Sequence, residues 1–361
     1  MKNIVYIGKY NGIIGGIERY MQKSAELLRR NNFNIHYLHT GNGGRNREEF
    51  AGAFNSVAEF SLAGDLLSTA DIIIIHNIIP AELLQKLPAN KTFFFAHDHN
   101  IYCRRHHYYL PVGRKNCHRK YNSVICKLCS LGRNPAPPLA EYRKLPALVL
   151  SDFMAENLRK NGFEKVIKLP AFIRTEEKTH SFMPDGILRI LFLGQLIRGK
   201  GADLMLKALS LLNTSFHCTI AGDGNDRIML ESMVEKLNLS NKVSFTGFVS
   251  DPETLWENCD LFCFPIRWQE PFGLVGLEAM AHGIPTVAFD LGGVREWLDD
   301  GKNGLLIPEK KISKAAAMLE LCNKNGKLLE QWGKCGLKLA KEKFSEEKFV
   351  ESFKNLPEVL K

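Results

Sequence analysis

Nowhere does the 361-residue chain hold an apolar run approaching the roughly 20 residues that a membrane-spanning helix needs. The stretch Asp71-Ile-Ile-Ile-Ile-His76 is typical in its brevity. The amino terminus shows no pattern of a cleaved secretory signal, so a cytoplasmic location is expected, with any membrane contact peripheral on the inner face. Low-complexity tracts and internal repeats are also missing, which argues against fibrous and solenoid architectures. No recognised nucleic-acid-binding motif occurs, so nucleic acid is not an expected partner. No Asp-x-Asp-type pair stands at a strand end, and no catalytic metal is expected.

What is present begins with charge. The net charge of +9 is uneven: residues 1–180 hold 26 Lys+Arg against 15 Asp+Glu, and the remainder 22 against 24. Arg104 to Arg133 carries eight Lys or Arg and no acid, a density that attracts an anionic partner such as a phosphate-bearing substrate or an anionic membrane surface. A solvated basic loop is the plainer alternative.

Nine cysteines without a secretory signal argue against a disulfide framework. Cys103, Cys117, Cys126 and Cys129 cluster in or beside the basic segment, and Cys126-Lys-Leu-Cys129 has the close spacing of a ligand pair in a structural zinc site. Free or buried thiols are the competing reading, and both stay open.

Short β-rich runs alternate with longer amphipathic stretches: Ile4–Ile7, Ile35–Leu38, Ile72–Ile75, Thr92–Phe95 and Ala147–Leu150. After a polar stretch at Thr175–Gly186 the pattern restarts with Leu188–Leu193, Cys218–Ile220, Val243–Phe245, Leu261–Phe264 and Pro285–Ala288. That alternation predicts α/β architecture, with two doubly wound parallel sheets. The expected divisions are an N-terminal domain over 1–170, a C-terminal domain over 171–344, and a tail over 345–361 with a final helix before Pro357. An irregular basic insertion at about 100–138 breaks the rhythm, as functional loops do.

Glycine-rich turns follow several strands. The first strand runs into Gly8-Lys-Tyr-Asn-Gly12-Ile-Ile-Gly15-Gly16, with a helix expected near Gly15, where backbone N–H groups can approach an anion. Its spacing matches neither G-x-G-x-x-G nor a P-loop, and a purely steric role stays open. After Leu193, Gly194-Gln-Leu-Ile-Arg198-Gly199-Lys200-Gly201 sets two cations just before a helix, so that Arg198 can fork onto phosphate oxygens while Lys200 adds a point charge. Gly222 and the Gly247-Phe248 turn follow later strands on the same sheet edge, where a ligand or another backbone can come close.

The most informative stretch runs from Glu270-Pro-Phe272-Gly273-Leu274 to Glu278-Ala-Met-Ala-His-Gly283. Glu278 is a lone carboxylate within an apolar helical run, costly unless it has a hydrogen-bonding task, and hydroxyls such as a ribose diol suit it. Glu270 lies at the mouth of the turn, and the N–H groups of Phe272, Gly273 and Leu274 are candidates to face phosphate.

On these residues the chain resembles the retaining glycosyltransferases of family 4, glycosyl transferases group 1. The paired glutamates Glu270 and Glu278 match that family's characteristic motif, followed by Glu278-Ala-Met-Ala-x-Gly-x-Pro and Gly292-Gly293-x-x-Glu296. The resemblance implies the GT-B fold, with two Rossmann-like domains facing across a cleft, the N-terminal one on the acceptor side and the C-terminal one on the nucleotide-sugar side. It implies that Gly15 and Gly16 line the donor diphosphate, that Lys200 grips it, that Phe248 contacts the base, and that His97 points at the transferred sugar. Catalytic roles then fall to His97, Glu270 and Lys200. The tail is expected to pack back on the N-terminal domain.

The implied activity is transfer of a sugar, with retention, from a nucleoside-diphosphate sugar such as a UDP- or GDP-sugar. The acceptor would be a glycan or lipid-linked molecule, in cell-surface polysaccharide or glycoconjugate synthesis. One departure is that Gln195 stands where many members have Arg, which leaves Arg198 as the substitute cation. Other readings on the same fold are a nucleotide-sugar epimerase, a glycan phosphorylase, and a non-catalytic nucleotide-sugar-binding protein. No lysine context of a pyridoxal-phosphate site supports the phosphorylase.

Overall fold

A computed structural model describes residues 2–110, 115–132, 134–175, 182 and 185–360, so most of the polar stretch Thr175–Gly186 lies outside the described residues. The chain divides into two compact units: unit 1, Met1–Ala171 with Glu346–Lys361, and unit 2, Phe172–Ser345. The charge divides with them, since unit 1 carries 27 Lys+Arg against 17 Asp+Glu and unit 2 carries 21 against 22.

Unit 1 holds a parallel sheet of β1 (Lys2–Gly8), β2 (Phe33–His39), β3 (Ser56–Glu59), β4 (Ile72–Ile75), β5 (Thr92–Phe95), β6 (Ala147–Val149) and β7 (Val166–Lys168), ordered β3-β2-β1-β4-β5-β6-β7. The four isoleucines of β4 are buried on both faces, which suits β-branched side chains in a central strand covered by helices. Because the chain leaves β1 toward β2 and later returns to β1's other side as β4, the carboxyl ends of these strands flank a topological switch point.

Unit 2 repeats the plan. Its strands are β8 (Leu188–Leu193), β9 (Phe216–Ala221), β10 (Val243–Gly247), β11 (Leu261–Phe264), β12 (Thr286–Phe289) and β13 (Gly304–Ile307). The order β10-β9-β8-β11-β12-β13 puts the switch point between β8 and β11, paired in parallel through Leu261 with Ile190 and Phe262 with Leu191. Leu188, Ile190 and Phe192 of β8 join Cys218, Ile220, Leu261 and Val287 in its core.

The C-terminal helix Glu346–Lys354 belongs to unit 1, against the first helix, Gly16–Arg30. Phe353 meets Phe33 edge-on at 5.9 Å between ring centroids, and Arg30 pairs with Glu346 at 3.0 Å. That helix stops at Lys354, and Leu356–Leu360 forms a 3-10 turn around Pro357. The insertion at 100–138 is not wholly irregular, because Ser123–Cys129 is a helix whose first N–H groups, those of Val124 and Ile125, donate to the Asn122 side chain. No helix among the described residues is long and apolar enough to cross a membrane.

Candidate functional site

At the switch point of unit 2, two loops meet. The loop after β8 tightens into a 3-10 turn, Arg198–Lys200, and Gly201 then caps the helix Ala202–Leu209 with φ of 74°. A side chain at Gly201 would lie 1.8 Å from the carbonyl oxygen of Pro265, just after β11, so only glycine lets the loops touch. At Gly199 a Cβ would strike the Trp268 ring, and the Gly199 carbonyl accepts from the Arg267 N–H at 2.8 Å.

This contact brings Lys200 Nζ to 2.8 Å from Glu270 Oε2, with the Phe264 and Trp268 rings 5.9 and 6.0 Å from the ammonium. Two of the three residues implied as catalytic are therefore neighbours, held by loops from adjacent strands. The pairing balances a cation and an anion that are both largely buried.

A second ion pair ties the same loops. Arg267 bonds Asp203 in the first turn of Ala202–Leu209, both largely buried, and Arg267 Nε has no hydrogen-bond partner among the described residues. Sequence reading missed Arg267. Its signal was an arginine three residues before Glu270, but only the fold shows it facing the β8 loop.

Glu270 is fixed from the other side as well. Its carbonyl accepts from the Gly293 N–H at 2.7 Å, and a Cβ on Gly292 would fall 2.1 Å from that oxygen, which gives the Gly292-Gly293 pair its physical reason. Phe272 is buried and edge-on to Phe344, so what it can offer outward is backbone rather than its ring. Its carbonyl accepts from Trp297 Nε1 at 2.7 Å. Gly273, at φ of 89°, is the N-cap of the helix Leu274–Ala281. Glu278 sits half-buried in that helix, and its carbonyl accepts from His282.

Gly222 and Phe248 lie at the ends of β9 and β10. Gly222 is explained by backbone packing, since a Cβ there would sit 1.9 Å from the Gly194 carbonyl oxygen. Phe248 is 49% exposed, a flat ring held at the sheet edge, and Arg198 also presents an exposed side chain.

Unit 1 groups a different set at its own switch point. Glu18 turns back in the first helix so that Gly15 N–H donates to its carboxylate at 2.9 Å, and burial pushes the Glu18 carboxyl up. The Gly15 N–H that the sequence offered to an anion is thus already engaged. After β4 and β5 come His76 and His97, with His76 Nδ1 2.9 Å from His97 Nε2. His97 stacks on Phe95 at 4.2 Å, and burial lowers its imidazole to about 3, so it is neutral at physiological pH. Asp98, bonded by both the backbone and side-chain N–H of Asn100, is pushed up to about 6, chiefly by burial and further by the nearby Glu18 charge.

Cys103, Cys117, Cys126 and Cys129 form no disulfide among the described residues. Cys103 and Cys117 pack on the core of unit 1, whereas Cys126 and Cys129 lie on the helix Ser123–Cys129. Among the described residues no three His, Cys, Asp or Glu are grouped to hold a metal ion, so the zinc expectation finds no such grouping. Burial raises the Cys103 and Cys129 thiols, which favours the protonated form.

Residues 174–338 match the family model of the glycosyl transferases group 1, which takes in most of unit 2. A D-inositol 3-phosphate glycosyltransferase of Arthrobacter sp. is 30% identical over 190 residues, 50% of this chain and 45% of that protein. The chain spans about half the length of the curated relatives it matches. Among solved structures, a glycosyltransferase from Rickettsia africae superposes with a TM-score of 0.78 at 16% identity, covering 100% of this chain and 99% of that one. HepE of Anabaena, in complex with UDP and glucose, gives 0.75 at 16% identity, with 99% of both chains covered. The resemblance to glycosyl transferases group 1 is borne out by the family match, and the GT-B fold class by the two doubly wound sheets and these structures.

Proposed function

We propose, from the match of unit 2 to the glycosyl transferases group 1, that this chain is a retaining glycosyltransferase using a nucleoside-diphosphate sugar, a UDP- or GDP-sugar. Its acceptor is a glycan or lipid-linked molecule of cell-surface polysaccharide or glycoconjugate synthesis. The observation that carries the reading is the Lys200–Glu270 contact at the switch point between β8 and β11, where doubly wound sheets bind nucleotides.

In this reading Lys200, with Arg198, stabilises charge on the departing diphosphate, a role preorganised cations fill without a metal. Glu270 accepts from sugar hydroxyls once Lys200 turns to phosphate. Glu278 takes the ribose diol, Phe248 the base, and the N–H groups of the Phe272–Leu274 turn the phosphates. Gly222 serves by letting the β8 and β9 loops pack. In unit 1 the reading gives His97 a role at the transferred sugar and Gly15 and Gly16 one at phosphate, at Gly15 through close backbone approach because its N–H is held by Glu18, each judged by its own substitution.

The test is a panel of UDP-, GDP- and ADP-sugars, with slow diphosphate release measured for the wild type and for Lys200→Ala. Release with at least one donor, lost in the variant, is the expected result. Binding or turnover of no donor ends the transferase reading, and equal release by both proteins ends the assignment of Lys200.

A further inference from the structure

Of the large hydrophobic side chains exposed among the described residues, four fall within eight positions: Val124 (65%), Ile125 (44%), Leu128 (70%) and Leu131 (71%). Val124 and Leu128 are spaced to share one face of the helix Ser123–Cys129, with Ile125 beside them and Leu131 in the left-handed turn that ends the helix. Isolated exposed aliphatics are ordinary, but a cluster of this kind marks a contact surface.

The cluster is held in place rather than trailing. Tyr108 Oη donates to the Arg119 carbonyl at 2.7 Å, the Tyr121 N–H donates to Asn161 Oδ1 at 2.8 Å, and Asn122 caps the helix. The backbone is thus tied to the core of unit 1 while the aliphatic side chains point away from it. Along this segment the charge has one sign, with Lys115, Arg119, Lys120 and Lys127 exposed and no acid between Arg104 and Arg133.

We propose that this segment docks unit 1 on the surface of an anionic lipid bilayer. Aliphatic side chains enter the boundary between headgroups and acyl chains while the flanking cations meet lipid phosphates. Nucleic acid would satisfy the cations but leave the aliphatic face in water. A protein partner would need a groove both acidic and apolar. The bilayer answers both features at once, and this inference does not depend on the donor assignment in unit 2.

The experiment is flotation of the full chain with vesicles of phosphatidylcholine containing a quarter phosphatidylglycerol, compared with phosphatidylcholine alone. Binding should be at least about tenfold stronger to the anionic vesicles and should weaken in high salt, since each cation that reaches the surface contributes roughly fivefold. The double variant Val124→Glu/Leu128→Glu should lose it, and Leu62→Glu/Ile228→Glu, at exposed aliphatics elsewhere, should not. Circular dichroism confirms that each variant folds, and single Lys127→Glu serves if the double variant does not. No binding by the wild type, equal binding by both double variants, or a self-association lost with Val124 and Leu128 overturns the proposal. Because vesicle binding needs no donor, its failure is distinct from failure of the transferase reading.

A second inference rests on the histidine pair. His76 is buried, its Nδ1 meets His97 Nε2, and its Nε2 has no hydrogen-bond partner among the described residues. A proton on that Nε2 would be a stranded donor, whereas a bare lone pair there is cheaper. We infer that His76 is a positioning residue that fixes the tautomer of His97. His76 donates from Nδ1, His97 accepts at Nε2, and neutral His97 therefore carries its proton on Nδ1.

Nitrogen-15 spectra of the histidine side chains read this directly. His97 should show Nδ1–H in the wild type, a mixture in His76→Phe, and mainly Nδ1–H again in His76→Asn, whose amide can donate. Wild-type His97 protonated on Nε2, or no change in the Phe variant, overturns the inference. If the Phe variant does not fold, the wild-type spectrum alone decides.

Discussion

Two sets of glycines, one at the switch point of each unit, differ in what surrounds them. In unit 2 a Cβ on Gly199, Gly201, Gly222, Gly292 or Gly293 would strike backbone or a ring at 1.8 to 2.2 Å. In unit 1 a Cβ on Gly15 or Gly16 would meet nothing within 4 Å. The first group is needed by the fold, which uses close loop contact to set Lys200 beside Glu270. The second group has no packing reason within the unit. The division is between individual glycines and not between the sheets: in unit 1 a Cβ on Gly8 or Gly12 would meet Tyr37 or the Arg45 carbonyl oxygen, and in unit 2 a Cβ on Gly194 would meet nothing within 4 Å.

Substitutions can break this comparison. The largest effect is expected for Lys200→Ala, which should slow diphosphate release by about 100- to 1000-fold, since it removes a preorganised charge from the leaving group. A KM change without a kcat change would instead mark uniform binding. Next, Gly201→Ala should cost about 3 kcal/mol through overpacking and a left-handed backbone. In a calorimetric scan that lowers the Tm by several degrees, while Gly15→Ala, in extended backbone, should stay within about 0.5 kcal/mol yet impair turnover. Equal stability losses at both sites would erase the distinction.

Asp98 gives a pH test of unit 1. Its folded-state carboxyl titrates near 6 against an ordinary 3.8, so the folded protein holds a proton that the unfolded chain releases between those values. Its contribution to stability is present below about 3.8 and is lost as pH rises through 6. Asp98→Asn should therefore gain on the wild type from pH 4 to 6, by about 2 kcal/mol, and hold that gain above. A gain confined to acid would reverse the sign. The smallest effect is expected at Phe248, where Ala should raise the donor KM about tenfold with little change in stability, because the ring is half exposed.

Much of the fold was legible in the sequence because its central strands are dense in β-branched and aromatic residues. Ile72–Ile75, Thr92–Phe95 and Leu188–Leu193 are found as read. The strands that escaped are β3, β7 and β13. Each lies at a sheet edge, and β3 and β7 are short and half exposed, so they lack a two-sided apolar run. The helix Ser123–Cys129 escaped for a related reason, since its apolar residues face outward and no core-facing periodicity announces it. At the candidate site, Lys200 and Glu270 were readable one at a time. Their contact was not, because it depends on two loops 70 residues apart in sequence meeting at a sheet edge. Arg267, His76 and the tie between Glu18 and Gly15 belong to the same class of long-range or side-chain facts.

The return of Glu346–Lys354 to unit 1 has a consequence for biosynthesis. Arg30 and Glu346, which pair at 3.0 Å, are 316 positions apart, with the whole of unit 2 lying between them in the chain. On the ribosome, then, the unit whose residues emerge first must wait with its Phe33 side uncovered until the intervening unit has been made. Unit 2, contiguous in sequence, can complete its core earlier. The first-made half is finished last.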